Sequence, residues 1–190
     1  MKKTFATLVT VLALVISGTT LNAQTKKDVK VNDSKIVWKG YKVTGSHEGT
    51  INLKSGSLTF KGDALTGGEF VVDMTSLEST DLSGNMKGKL DGHLKSDDFF
   101  GVENHPEATL MLTSVKATGK NAYNAKGKLT IKGKTNPVEF TIAIYGSKAN
   151  ATVKVDRSKY DVRYGSGSFF DNLGDKTIYD EFDLVVDLVF

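Results

Sequence analysis

The chain contains no cysteine, two prolines, one tryptophan and three histidines in 190 residues. Without cysteine there is no disulfide, no thiol nucleophile and no thiolate metal site. A lipoprotein acylated at its leader's cleavage point is excluded for the same reason. Stability must come from a packed core, and the length suffices for one domain that has one. A zinc site generally needs three close protein ligands. His47 is far in sequence from His93 and His105, so no metal or other cofactor is expected. Long apolar runs are also missing. The longest, Thr4 to Ile16, is too short to span a bilayer, and no integral membrane segment is expected in the mature chain.

Blocks of one charge sign are absent too. The net charge is +3. Setting aside Lys2 and Lys3 leaves 23 basic side chains against 22 acidic, close to +1 and evenly interspersed. Nucleic-acid binding needs a concentrated basic face, and none is present. The first residues combine the basic start Met1-Lys2-Lys3, the apolar run and the small, polar stretch Ser17 to Ala23. Residues 1–23 therefore read as a signal peptide cleaved near Ala23. Residues 24–190 form the domain, and the expected location is periplasmic or secreted.

What fills the domain is alternation with a period of two, which marks half-buried strands. Phe70, Val72 and Met74 share one face; so do Val138, Phe140, Ile142 and Ile144, and Phe182, Leu184, Val186, Leu188 and Phe190. Ile36 to Val43 has strand composition, but Trp38 and Tyr41 fall on opposite parities, so a bend is expected at Gly40. Ile51 and Leu53 take one parity and Leu58 and Phe60 the other; Ser55-Gly56-Ser57 between them marks a bulge or turn. Thr25 to Lys30 reads as a mobile arm or an approach to the first strand. Phe169 to Gly174 reads as one short helical turn ended by Gly174. Turn signals recur at hairpin spacing, giving about eight strands. The last strand is too apolar to leave open, and pairing it with the first would remove both edges. The fold class is all-β: a single antiparallel up-and-down barrel.

One stretch breaks the alternation, Leu90 to Val102. Met86, Leu90 and Leu94 recur every four residues, as on one face of a helix. Ser96-Asp97-Asp98 supplies a capped turn. The reading is a short helical crossover that stops there and drives Phe99 and Phe100 inward.

This stretch, Gly92-His93-Leu94-Lys95-Ser96-Asp97-Asp98-Phe99-Phe100 followed by Pro106, resembles the signature of the YceI-like family. Gly127-Lys128-Leu129-Thr130-Ile131-Lys132-Gly133-Lys134-Thr135 with Pro137-Val138 resembles its second signature. The resemblance covers nearly all of the chain after the leader. It implies a lipocalin-like barrel holding a polyisoprenoid or similar amphiphilic lipid, often in the periplasm. On composition alone, the inward residues Trp38, Phe70, Met74, Phe140, Ile142, Phe182 and Leu184 form an ordinary barrel core. The resemblance implies that they line a lipid cavity instead.

Phe99-Phe100 and Phe169-Phe170 lie outside the strands. They plug the barrel ends, or they belong to the apolar lining and gate the mouth or grip the tail. Arg157, Tyr160 and Arg163, with Lys159, Tyr164 and Lys176, either greet an anionic head group or form a solvated rim. His93 joins them as a mouth candidate. Its spacing to Asp97 suits a capping contact, or a cation in a weaker reading. No serine-centred elbow, phosphate loop or paired metal motif appears, so catalysis is not expected. Two other readings stay open: a solid-cored stress-related or interaction protein working through its surface, and an enzyme acting on an isoprenoid-like lipid through His93 and its neighbouring carboxylates. A homodimer is one assembly open to the chain.

Overall fold

The structure, a computed structural model, describes residues 23–190. The signal-peptide reading of residues 1–23 falls, but for Ala23 itself, outside the described residues. The elements are β1 (Gln24–Asp28), β2 (Lys35–Lys42), β3 (Gly45–Lys61), β4 (Ala64–Ser79), α1 (Gly84–Lys95), β5 (Glu107–Ala117), β6 (Ala122–Ile131), β7 (Lys134–Tyr145), β8 (Lys148–Asp156) and β9 (Ile178–Val189). Each of β2 to β9 pairs antiparallel with its chain neighbours, and β9 closes onto β2. Ile36 there faces Val186, Trp38 faces Leu184 and Gly40 faces Phe182. This is the eight-stranded antiparallel barrel with one short helix that the alternation implied. Closure leaves the apolar last strand no free edge.

β1 corrects the reading of Thr25 to Lys30 as an arm. It pairs with β3 from Gln24 opposite Lys61 to Asp28 opposite Ser57. β2 covers only the other half of β3, from Gly45 to Ile51. The two are one stave of the barrel, interrupted by a 3-10 turn at Val31–Asp33. All five β1 side chains are exposed, so its backbone pairing left no alternation to read.

The parity switch in β3 is a bulge, not a turn. One strand runs through it, with register shifts between Thr50 and Asn52 and between Leu53 and Ser55. A bulge brings Leu58 and Phe60 back to the inner face that Ile51 and Leu53 occupy. The bend expected at Gly40 is also present, as a register shift between Gly40 and Lys42 against β9.

Two departures from regular pairing shape one end of the barrel. β4 pairs with β5 only from Glu69 to Asp73, and the crossover enters where it is released. There the Met74 amide donates to the Pro106 carbonyl at 2.9 Å. α1 is pinned to β4 by Lys87, whose ammonium donates to Glu78, to Asp91 and to the Ser79 carbonyl. Burial grows along the helix: Met86 is 62% exposed, Leu90 is half-buried and Leu94 is buried. Met86 thus leaves the expected inward face, because only the C-terminal half of the helix reaches the barrel interior. The Ser96 hydroxyl donates to the His93 carbonyl at 2.7 Å and ends the helix. Phe99 then turns inward, as expected.

The second departure lies between β7 and β8, which pair only along Ile142–Tyr145 and Lys148–Ala151. Beyond that they part. The 3-10 turn Arg157–Tyr160 follows β8 here, and Asn136 of β7 donates to the Lys159 carbonyl at 2.8 Å. Tyr160 and Val162 are both buried. The short turn expected to end at Gly174 is instead a 3-10 turn that begins there, Gly174–Lys176.

Candidate ligand-binding site

The barrel is hollow. A cavity of about 300 Å3 lies inside it, lined almost wholly by apolar side chains from the strands, the last turns of α1 and the turn after it. Of the expected lining residues, Trp38, Phe70, Met74, Phe99, Phe100, Phe140, Ile142, Phe182 and Leu184 border this space. Phe169 and Phe170 do not, and this corrects their assignment. The loop that carries them folds on buried Ser166, whose hydroxyl accepts the Ser168 amide and whose carbonyl accepts the amides of Phe169 and Phe170. That turn throws both rings outward, and the Arg163 guanidinium lies over the Phe169 ring at 5.0 Å.

Apart from Asn150 near the start of β8, the cavity's polar lining residues gather at the α1 end. Tyr41, Lys42 and His47 come from the β2–β3 hairpin, His93 from α1, and Arg157, Tyr164 and Tyr179 from the segment around β8 and β9. His93 stands edge-on to Tyr164, with 4.3 Å between ring centroids, and faces Phe99 at 5.5 Å. The expected His93–Asp97 contact is replaced by this aromatic packing, and the Asp97 carbonyl accepts from Lys132 at 2.7 Å. His47 contacts Asp81 through Nδ1 at 2.7 Å. Among the described residues no group of three or more His, Asp or Glu is placed to hold a metal.

The head-group candidates separate. Arg157 borders the cavity, but it is buried at 3% exposure rather than sitting on a rim. It donates to the carbonyls of Tyr179, Val162 and Ile178 at 3.1, 2.8 and 2.9 Å. Burial pulls its pKa below the usual guanidinium value, with Asp180 and then Asp156 acting against that pull. Tyr160 is a correction: it is buried in the wall beside β7, and burial pushes its hydroxyl up to about 12. Arg163 is another. It is exposed and paired with Asp161 at 2.5 Å, away from the lining.

Residues 26–190 match the YceI-like domain. The chain belongs to the YceI-like family. Its relatives include UPF0312 proteins of Pseudomonas putida (strain W619), 32% identical over 150 residues, and of Pectobacterium carotovorum, 31% identical over 151. Each match covers 77% of this chain and 74% of the relative. Burkholderia cenocepacia BcnA shares the fold with a TM-score of 0.66 at 23% identity, over 85% of this chain and 99% of BcnA. A Campylobacter jejuni YceI protein does so with a TM-score of 0.51 at 16% identity, over 98% and 96%.

In this YceI-like barrel, several cavity residues carried a readable signal and others did not. His47 shares the parity of Ile51 and Leu53, which marks it as inward on β3. Tyr164 lies in an irregular segment with no period, where only its basic and aromatic neighbours marked it as a mouth candidate, and it does border the cavity. Leu58 and Val186 sit on faces read as inward but were not singled out as lining. The arrangement can hold an apolar chain along the barrel axis, with a few hydrogen-bonding groups at one end to orient it.

Proposed function

We propose that this YceI-like barrel binds an amphiphilic lipid of the polyisoprenoid kind, tail inside the barrel, and sequesters or carries it without chemical change. We place this activity in the periplasm or outside the cell, after removal of the leader near Ala23. The observation that carries the reading is the apolar cavity itself. A barrel of eight strands is often filled by its own side chains, and a solid-cored protein working through its surface would have no such space. Apolar burial supplies about 0.8 kcal/mol per CH2 without directional contacts, which suits a long flexible tail.

Native mass spectrometry of the protein purified from cells tests this reading. The expected result is an apolar adduct removable by organic solvent. Ala151 borders the cavity on β8, so Ala151→Trp places an indole in the tail's path. That variant should fold and emerge empty. A wild-type protein that takes up no isoprenoid in any form, while Ala151→Trp behaves identically, would overturn the reading.

A further inference from the structure

Apolar surface is concentrated on one rim of the barrel. Among the described residues eight large hydrophobic side chains are exposed, and five of them belong to this rim: Val43, Tyr164, Phe169, Phe170 and Tyr179, each between 38% and 51% exposed. The other three, Met86, Met111 and Tyr145, lie on α1, on β5 and at the end of β7. Hydrogen bonds bring the five together. The Val43 amide, at the tip of the β2–β3 hairpin, donates to the Thr177 carbonyl at 3.1 Å, and the Ile178 amide donates to the Gly165 carbonyl at 2.8 Å. The hairpin tip, the start of β9 and the loop before it are thereby laced side by side, with Tyr164 and Tyr179 next to the lacing. The Ser168 hydroxyl donates to Asp180 at 2.6 Å and holds the turn of Phe169 and Phe170 against the same strand end. This patch is continuous with the cavity. Tyr164 and Tyr179 border it, and they are its exposed lining side chains at the α1 end, so the apolar interior meets solvent here.

We propose that this rim is a membrane-docking surface, which seats the mouth of the barrel on a phospholipid bilayer so that lipid passes between bilayer and cavity without crossing water. A contiguous exposed apolar patch marks an interaction surface, and its continuity with the cavity identifies the occupant. Each CH2 that must pass through water lowers the equilibrium by about a factor of four, so the aqueous route is closed to a long tail. A mouth pressed on the bilayer removes that barrier. The side chains suit the place. Tyrosine is favoured at the membrane–water boundary, where its ring is buried and its hydroxyl stays wet, and phenylalanine enters the acyl edge. Charge adds little, because Lys42, Arg163 and Lys176 share the rim with Asp161, Asp171 and Asp175. Docking is therefore by apolar insertion rather than by attraction to anionic lipid.

This inference rests on the proposed lipid binding, and the test separates the two. Empty vesicles of phosphatidylethanolamine and phosphatidylglycerol measure docking without cargo. The protein should co-sediment with them, and high salt should change the bound share little, since apolar insertion is not screened. Phe169 and Phe170 lie outside the cavity lining and are exposed, so the double variant Phe169→Ser, Phe170→Ser should keep the fold and the cavity. Loss of both rings should weaken partition roughly tenfold or more. The sole tryptophan, Trp38, borders the cavity, so its emission reports filling. With vesicles carrying geranylgeraniol, the filling rate should rise with vesicle concentration, as transfer on contact requires, and fall several-fold in the double variant. Geranylgeraniol delivered from solvent should bind both proteins equally. No binding to empty vesicles, binding lost in high salt, or equal partition of the two proteins overturns the docking inference alone. So does a dimer in lipid-free solution that the double variant abolishes, which makes the patch a self-association surface. Uptake of no geranylgeraniol from either source overturns the lipid reading, and the transfer step with it.

Discussion

The Trp38 indole N–H donates to the main-chain carbonyl of Glu78 at 3.1 Å, reaching across Gly49 on the intervening strand. The contact joins three neighbouring staves where the wall meets α1. It works only because Gly49 has no side chain. A Cβ there would lie 1.9 Å from the Glu78 carbonyl oxygen and 2.6 Å from the Trp38 ring. Gly49→Ala should therefore destabilise the barrel by on the order of 3 kcal/mol or more. A urea unfolding curve measures the loss, and a shift under ~1 kcal/mol would show that the wall yields here.

Phe60 and Phe182 should respond differently to truncation. Phe60 is 4% exposed and packs on Phe190 at a centroid distance of 5.5 Å, outside the cavity lining. Phe60→Ala should cost about 3–5 kcal/mol. Phe182 is half-buried and faces space that is already empty, so fewer packing contacts are lost. Phe182→Ala should cost roughly half as much while altering ligand uptake. Unfolding free energies and Trp38 titrations on both variants check the contrast, and equal costs would contradict it.

α1 carries glycines at positions 88 and 92, and an added Cβ meets nothing within 4 Å at either. Glycine within a helix costs about 0.5–1 kcal/mol relative to alanine. Gly88→Ala and Gly92→Ala should each recover that amount, seen as higher melting temperatures. Since Leu90, His93 and Leu94 of this helix border the cavity, a stiffer α1 should also slow ligand exchange in stopped flow. Faster exchange would mean that ligands do not pass the helix.

Asp91 gives the attachment of α1 a pH dependence. Burial opposes its ionisation, but hydrogen bonds from Lys87 and Ser79 outweigh this and hold its pKa below the ordinary 3.8. A carboxyl depressed in the folded state contributes fully above 3.8, and the contribution fades as pH falls through the lower folded value. The stability gap between wild type and Asp91→Asn should be constant near neutral pH and narrow below about pH 4. A gap that persists unchanged to pH 2 would rule out this linkage.

Much of this fold is written in local pattern. Alternation places Trp38, Phe70, Met74, Phe140, Ile142, Phe182 and Leu184 on the inner face, because strand side chains alternate whatever the sheet does next. The parity breaks at Gly40 and Ser55–Ser57 mark real irregularities for the same reason. Helical spacing and Ser96 locate the crossover and its end. Three things were decided only by tertiary structure. β1 exists through main-chain pairing with β3, which leaves no trace in exposed side chains. Whether the inward faces meet or enclose a space depends on how widely eight strands close, a property of the whole sheet. The fates of Arg157, Tyr160, Arg163, Phe169 and Phe170 were set in the irregular segment between β8 and β9, where no period assigns a side. There, burial of Ser166 and the carbonyls around Arg157 bring one arginine to the cavity and leave the other on the surface.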